Sequence, residues 1–272
     1  MNLFAIAASN AASLERTLDK IRAVLASDET DRLERFLNWI HNDGRVAINM
    51  RQTTLLILIT TNNYQNIYEW AVSQSHISGR PVDDILQQRL GSFYLKRINF
   101  DNSFDSGQEF RYGALITAGA GATNYGNYCI ILKESTVSAF ELAFLKADSL
   151  KTYMLTEVDV DVDSIKEDAA PYSHKHVLAG IKHYHSLAAT PEASWASLLC
   201  SGADYIEALF TGTLTVDDLQ EVRMLKSDYE RYYHLAFEDF RGKLDEAYRN
   251  LVDGFASIVK LLNHHGINVE VV

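Results

Sequence analysis

Leu14, Leu18, Ile21, Val24 and Leu25 recur at spacings of three and four, and Leu33, Phe36, Leu37 and Ile40 resume the pattern after a break at Ser27-Asp28-Glu29-Thr30. That period stacks the apolar side chains on one stripe, so Ser9 to Ile40 is predicted as two amphipathic helices. His41-Asn42-Asp43-Gly44 reads as a turn and helix stop. The period then falls to two. Val46, Ile48 and Met50 share one face of a strand over Arg45–Arg51, and Asn49 and Arg51 share the other. Thr53 to Ile59 is apolar and β-branched, compatible with strand or helix. Tyr64, Ile67, Tyr68 and Ala71 restore the helical spacing within Asn62–Val72. Gln74–Arg80 reads as a loop. Pro81–Leu90 reads as a helix with Pro at its first position and Asp83 and Asp84 in its first turn, ended by Gly91-Ser92-Phe93-Tyr94. Asn99–Gln108 is polar and reads as a mobile loop.

Strands are predicted over Arg111–Thr117 and Tyr125–Lys133, with a small-residue loop, Ala118–Ala122, between them. That loop lacks the Gly-Lys-Ser/Thr ending of a phosphate loop. Glu134–Phe140 is a connector. Thr152–Val162 alternates, with Glu157, Asp159, Asp161 and Asp163 in step on one face, and is expected to be a strand whose acidic face meets solvent. Calcium-ligand spacing is missing there. Pro191–Leu199 reads as a helix, with Trp195 and Leu199 on one face. Tyr205–Gly212 is a short strand. Tyr229, Tyr232, Tyr233, Phe237, Phe240, Leu244, Tyr248, Leu251, Phe255, Val259 and Leu262 recur at helical steps. They predict one long helix from Lys226 to His264, stopped by Gly266 and followed by an edge strand in Ile267–Val272. The reading is an α+β chain in three parts: a helical segment over 1–44, a core over 45–225, and a C-terminal helix and tail over 226–272 packed on that core.

Composition narrows the function classes. The 272 residues are 47% hydrophobic and 22% charged, with a formal net charge of −11. That balance argues against nonspecific, phosphate-driven binding to nucleic acid, though it leaves room for a local basic groove. Cys129 and Cys200 form neither a disulfide framework nor a metal spacing, which points to a reducing compartment. Met1–Ser9 lacks a basic leader region and reads as folded chain. No stretch approaches the roughly 18 to 20 apolar residues of a membrane span, so no membrane partner is expected. His174, His176, His183 and His185 invite a metal reading. However, residues two apart do not share a helix face, and no Cys or carboxylate completes a zinc set around them. No metal is expected.

Two polar features stand out against this background. Glu207 sits in an apolar strand, on the face opposite Ile206 and Ala208, where a carboxylate is costly unless it has partners or a use. Asn49 and Arg51 project together from the first strand. An arginine fork there suits an anion or nucleotide, although a solvated strand face explains the pair equally well when taken alone.

Several separated stretches share an order with a known family. Arg111-Tyr112-Gly113-Ala114-Leu115, then Tyr125 to Lys133, then Asp148-Ser149, then Asp204-Tyr205-Ile206-Glu207-Ala208 resemble an uncharacterised bacterial family of ADP-ribosyltransferase-like proteins. Ile48-Asn49-Met50-Arg51 is similar to that family's Leu-Asn-Phe-His strand. The resemblance spans about residues 45 to 222. It implies an NAD-binding core of two small packed sheets, with a first-strand His or Arg on the dinucleotide and a late-strand Glu doing the chemistry. By position these are Arg51 and Glu207. The chain departs from the family at Arg51 (for His), Ala147 (for Gly) and Leu209 (for Gln). Tyr205 stands two residues before the Glu, where many transferases place a polar or acidic residue that orients the acceptor. Ser75 and Ser78 are the candidates for the superfamily's serine. Tyr112 or Tyr125 could stack on nicotinamide, and a core tyrosine with a satisfied hydroxyl fits equally.

The implied activity is mono-ADP-ribosyl transfer from NAD+, as co-substrate, to a protein or nucleic-acid acceptor. Bacterial relatives in the superfamily include toxins and antiviral-defence effectors, acting in the cytoplasm of the producing or a target cell. The alternatives are an NAD glycohydrolase, and an inactive scaffold that binds an antitoxin or chaperone through the aromatic C-terminal helix.

Overall fold

A computed structural model describes residues 1–202, 204–242 and 245–272. The chain opens with α1 (Leu3–Arg22) and α2 (Ser27–Asp43). Asn2 caps α1 by accepting from the Ala5 amide at 2.9 Å, which satisfies one donor left open at a helix start. Ser27-Asp28-Glu29-Thr30, expected as a break, is instead the first turn of α2. Acidic residues suit a helix N-terminus, and Glu29 accepts from the Ala26 amide at 3.0 Å. The break falls just before it, after Arg22.

β1 (Arg45–Met50) leads into α3 (Gln52–Thr61), α4 (Ile67–Ser78), α5 (Val82–Leu90) and α6 (Tyr94–Asn102). The ambiguous run Thr53–Ile59 is therefore helical and buries Leu55, Leu58 and Ile59. Residues 74–78, expected in a loop, belong to α4. That helix runs on until Gly79 adopts a left-handed φ of 71° and ends it. Asn99–Gln108 is not a polar loop either: it carries the end of α6, and Phe100 and Asp101 are buried.

Next come β2 (Arg111–Ile116), β3 (Tyr128–Leu132), α7 (Glu134–Val137), β4 (Leu142–Leu145), α8 (Ser149–Thr152), α9 (Val162–Asp168), β5 (Ala170–Pro171) and α10 (Lys175–Leu187). The expected strand over Thr152–Val162 is not formed; one bridge, Met154 to Val160, is all the pairing it has. Its acidic side chains serve local turns. Thr156 donates to Asp159 at 2.8 Å, and Asp161 accepts from the Ser164 amide at 3.1 Å to cap α9. The remainder is α11 (Trp195–Leu199), β6 (Cys200–Ser201), β7 (Asp204–Tyr205), β8 (Glu207–Phe210), β9 (Leu219–Met224), α12 (Lys226–Phe240), α13 (Glu246–His264) and β10 (Val269–Val271). The single long C-terminal helix is thus two. Gly242 takes a φ of 70°, and Asp245 starts a new helix by accepting from the Tyr248 amide at 3.1 Å. Leu244, counted in the predicted stripe, lies outside the described residues.

One eight-stranded mixed sheet organises the fold, in the order β10-β9-β3-β1-β2-β8-β4-β5, beside a two-stranded ribbon of β6 and β7. Two separate packed sheets, as the resemblance implied, are not what forms. β1 pairs with β2 only from Arg45↔Ile116 to Ala47↔Ala114. Beyond that point β1 follows β3 as far as Met50↔Tyr128, while β2 follows β8 back to Arg111↔Phe210. The sheet is therefore joined at one end of these strands and parted at the other. Gly113 sits at the parting, where a Cβ would meet the Ala47 carbonyl oxygen at 2.5 Å.

On one face of the sheet, Val46, Ile48, Met50, Leu115, Ile206, Ala208 and Phe210 share a core with Leu14, Leu18, Phe36 and Leu37 of the N-terminal helices and Phe255, Ile258 and Leu262 of α13. Helices from both chain ends thus cover the same face. On the other face, Leu145 and Leu209 pack with Leu3, Phe100, Phe110 and Tyr153. Helices α4 to α6 hold a small core of their own around Ala71, Ile85 and Leu86. They stand over the parting of the sheet.

Candidate active site

The parted strands and α5–α6 enclose a cleft of about 510 Å³, within the size range of small-molecule and cofactor sites. Glu207 lies on its floor, 4% exposed. It begins β8 opposite Ala114 of β2 and Leu145 of β4. Strand alternation turns it away from Ile206 and Ala208, which are in the main core, as the sequence predicts. The Ser149 amide donates to its Oε2 at 2.8 Å. Burial pushes its carboxyl up and the Asp148 charge adds to that. Arg97 and the hydrogen bonds from Ser149 pull it back, and it settles at about 7.

Asp148 is the second carboxylate of the cleft. Its Oδ2 accepts from the Tyr205 hydroxyl at 2.8 Å and the Tyr125 hydroxyl at 2.9 Å, and its Oδ1 accepts from the Lys151 amide at 3.0 Å. Burial acts to raise its carboxyl, but the two phenols, that amide and the Lys151 charge outweigh it and hold Asp148 below the usual range. Two neighbouring carboxyls are thus driven apart, Asp148 anionic and Glu207 titrating near neutrality. Such a division of roles is typical of catalytic carboxylate pairs.

The mouth of the cleft is cationic in an otherwise acidic protein. Arg51, the residue just after β1, and Arg89 of α5 both line it. Neither has a carboxylate partner among the described residues, and Arg89 lies 5.2 Å from the Trp70 ring centroid. Burial and the adjacent Arg51 charge pull the Arg89 guanidinium down. Like charges held side by side in a cleft favour an anion between them. Phe93 and the 48% exposed Tyr125 add aromatic surface.

The other predicted contacts divide. Asn49 lines the cleft, but its amide is committed. Its Nδ2 donates to the Ala120 carbonyl at 2.8 Å and the Gly126 carbonyl at 3.0 Å, and its Oδ1 accepts from the Ala122 amide at 2.7 Å. It braces the loop that carries Tyr125 rather than waiting for a ligand. Tyr112 is at the floor with its hydroxyl donated to Asp101 and its ring under the Arg97 guanidinium, 3.7 Å from the centroid, so that face is not open for stacking. Ser75 is in the last turn of α4, donates to the Arg80 carbonyl at 2.7 Å and does not line the cleft. The histidines are scattered. His176 packs edge-on to His41 at 4.9 Å and His183 edge-on to Phe36 at 6.4 Å, and burial pushes both down to about 4. Among the described residues no group of three or more His, Cys, Asp and Glu could hold a metal ion.

Arg89, Arg97 and Asp101 escape sequence reasoning. Arg97 falls outside the elements read from the sequence, and Asp101 falls in the stretch read as a polar loop. In the fold Asp101 is fully buried and accepts from Tyr112 and, at 2.7 Å, from Tyr68. No protein-family model matches this sequence, and no curated protein matches it.

Proposed function

We propose that the cleft binds NAD+ and that the protein is a mono-ADP-ribosyltransferase acting through Glu207. The observation that carries this is a buried carboxylate, at the floor of a dinucleotide-sized cleft, beneath a mouth holding two unpaired guanidiniums. Breaking the nicotinamide–ribose bond passes through an oxocarbenium-like state, as glycoside cleavage does. Ionised Glu207 steadies the positive charge that develops on the ribose and accepts from a ribose hydroxyl. Arg51 and Arg89 take the diphosphate through charge-assisted bonds, and the exposed ring of Tyr125 offers a stacking face. Asp148 stays anionic and holds Tyr125 and Tyr205 in place.

A second reading, NAD glycohydrolase, has one observation in its favour. The side chain two residues before Glu207 is Tyr205, whose hydroxyl is engaged by Asp148 and is not free to orient an acceptor. Water would then take the acceptor's place. The deciding experiment is nicotinamide release from NAD+ by the pure protein and by Glu207→Gln, with labelled NAD+ and cell lysate alongside. The expected result is release that falls at least about 100-fold in the variant. Label retained on a macromolecule identifies a transferase, and release without label a glycohydrolase. No turnover with or without lysate rejects both.

A further inference from the structure

Arg97 lines the cleft as a largely buried cation, and the fold leaves its head group underused. It makes no hydrogen bond within the protein among the described residues. Its Nε and Nη1 are shut off from water without partners, and its nearest carboxylate contact is Nη1 to Asp101 Oδ1 at 3.8 Å, beyond hydrogen-bond range. The side chain is only 15% exposed, and it lines the cleft, which leaves Nη2 as the nitrogen open to a ligand. Its position is held from below: the ring of Tyr112 supports the guanidinium, and Asp101, itself fixed by Tyr68 and Tyr112, faces it. Nη2 is thus a pre-positioned donor on a charged group, and hydrogen bonds from such donors are the strong ones.

Lys151 at the cleft is paired with Asp148 at 3.5 Å; the arginines occupy two further places, and they differ. Arg51 and Arg89 feel each other's charge at the mouth. Arg97 instead lies over the ring of Tyr112, two residues along β2 from Ala114, which pairs with Glu207. Since Glu207 acts at the ribose carbon whose bond breaks, the group beside Arg97 is the departing base and not the diphosphate. We propose that Arg97 recognises nicotinamide by donating to its carboxamide oxygen, and that it favours the base's departure. This inference rests on the NAD+ reading given above.

In the reaction the C1′–N1 bond breaks and its electron pair goes to the pyridine nitrogen, so the ring passes from cationic to neutral. The acceptor's nucleophilic atom closes on C1′ and gives up its proton to solvent water. A guanidinium beside the ring opposes the cationic ground state, and that opposition fades as positive charge moves to the ribose beside Glu207. At the same time the carboxamide oxygen of the neutral base becomes a better acceptor. The repulsion weakens and the hydrogen bond strengthens on the way to the transition state, so both lower the barrier and belong to kcat more than to KM.

The test compares wild type, Arg97→Lys and Arg97→Met on NAD+ and on its analogue with unsubstituted pyridine in place of nicotinamide, with ADP-ribose binding measured in parallel. Arg97→Met is expected to lower kcat on NAD+ about 100-fold, to leave ADP-ribose affinity within about twofold, and to shrink the rate ratio between NAD+ and the pyridine analogue at least tenfold. Comparing ratios cancels the intrinsic leaving ability of the two bases. Arg97→Lys, which keeps the charge, is expected to recover part of kcat. On unmodified protein, nicotinamide is expected to compete for the site at least tenfold better than pyridine, a readout that needs no variant to fold. An equal loss of ADP-ribose and NAD+ binding in Arg97→Met, or no preference for nicotinamide over pyridine, overturns the inference and places Arg97 on the diphosphate. Wild type that neither binds ADP-ribose nor consumes NAD+ overturns the dinucleotide reading itself.

Discussion

The proposed reaction needs Glu207 as an anion in a place that resists anions, and this conflict gives it a measurable signature. Its carboxyl is raised from 4.5 to about 7. If ionised Glu207 does the chemistry, kcat/KM for nicotinamide release rises with pH through an apparent value near 7 and levels above it. Asp148→Asn removes the like charge beside it and moves that limb to lower pH, by about one unit. The same shift has a cost in stability. Below about pH 4.5 both folded and unfolded chains hold the proton and Glu207 carries no penalty. Between about 4.5 and 7 the unfolded chain ionises first, so the folded state loses ground, by up to about 3 kcal/mol at pH 8. Glu207→Gln is therefore expected to be more stable than wild type at pH 8 and equal to it at pH 4, in urea titrations at both. A variant equally stable or weaker at pH 8 rejects a strained carboxylate. Glu207 was legible in the sequence because a charge among strand apolars is anomalous on its face. Arg97 was not, because it falls between the helix and the polar loop read from the sequence, and only the fold reveals that its surroundings are dry.

Among the elements, the stretch between β2 and β3 shows how a polar strand residue can be read for its face and misread for its task. Alternation places Asn49 beside Arg51, yet its three hydrogen bonds go to Ala120, Ala122 and Gly126. The glycines make room for this brace. At Gly121, with φ of 64°, a Cβ would meet Asn49 Oδ1 at 2.4 Å, and at Gly126 it would meet the Met50 carbonyl at 2.1 Å. Asn49→Leu leaves the Ala122 amide without its acceptor and is expected to cost about 1 to 3 kcal/mol. It also frees Tyr125 from its position, raising KM for NAD+ while leaving the pH limb of Glu207 in place. A shift of that limb instead would make Asn49 part of the chemistry. Amphipathic helices and alternating core strands were legible because burial imposes their period directly. Thr152–Val162 misled because its alternation had no neighbouring strand to satisfy it, and Asp159 and Asp161 found local backbone and hydroxyl partners first. The aromatic run in 226–264 kept its helical spacing but not its continuity. It gave Tyr232 and Phe255 to a stacked pair 4.4 Å apart and left Phe237 and Phe240 exposed.

For the molecule as a whole, the α+β class was legible from the mixture of periods, and the pairing of the strands was not. No local pattern states that β1 leaves β2 after Ala47 while each continues with another neighbour. That parting makes the cleft, and it draws the site from three bodies: the β3–β1 side with Arg51, the β2–β8–β4 side with Glu207, and α4–α6 with Arg89 and Arg97. The third body is set apart by packing, since its Ala71, Ile85 and Leu86 form a core separate from the large one. Elements with small cores open locally at lower free energy than those in the main core. A ligand that bridges all three should therefore steady the least stable of them most. ADP-ribose binding is expected to slow amide exchange in residues 82–102, and in 118–126, where Asn49 and Tyr125 tie the loop to the cleft. It should leave the packed pair α2 and α10, none of whose residues lines the cleft, unchanged. The reverse pattern, with protection in α2 and α10 and none in α5 and α6, would mean that the anion binds elsewhere and that the unpaired arginines of the mouth are not its receptor.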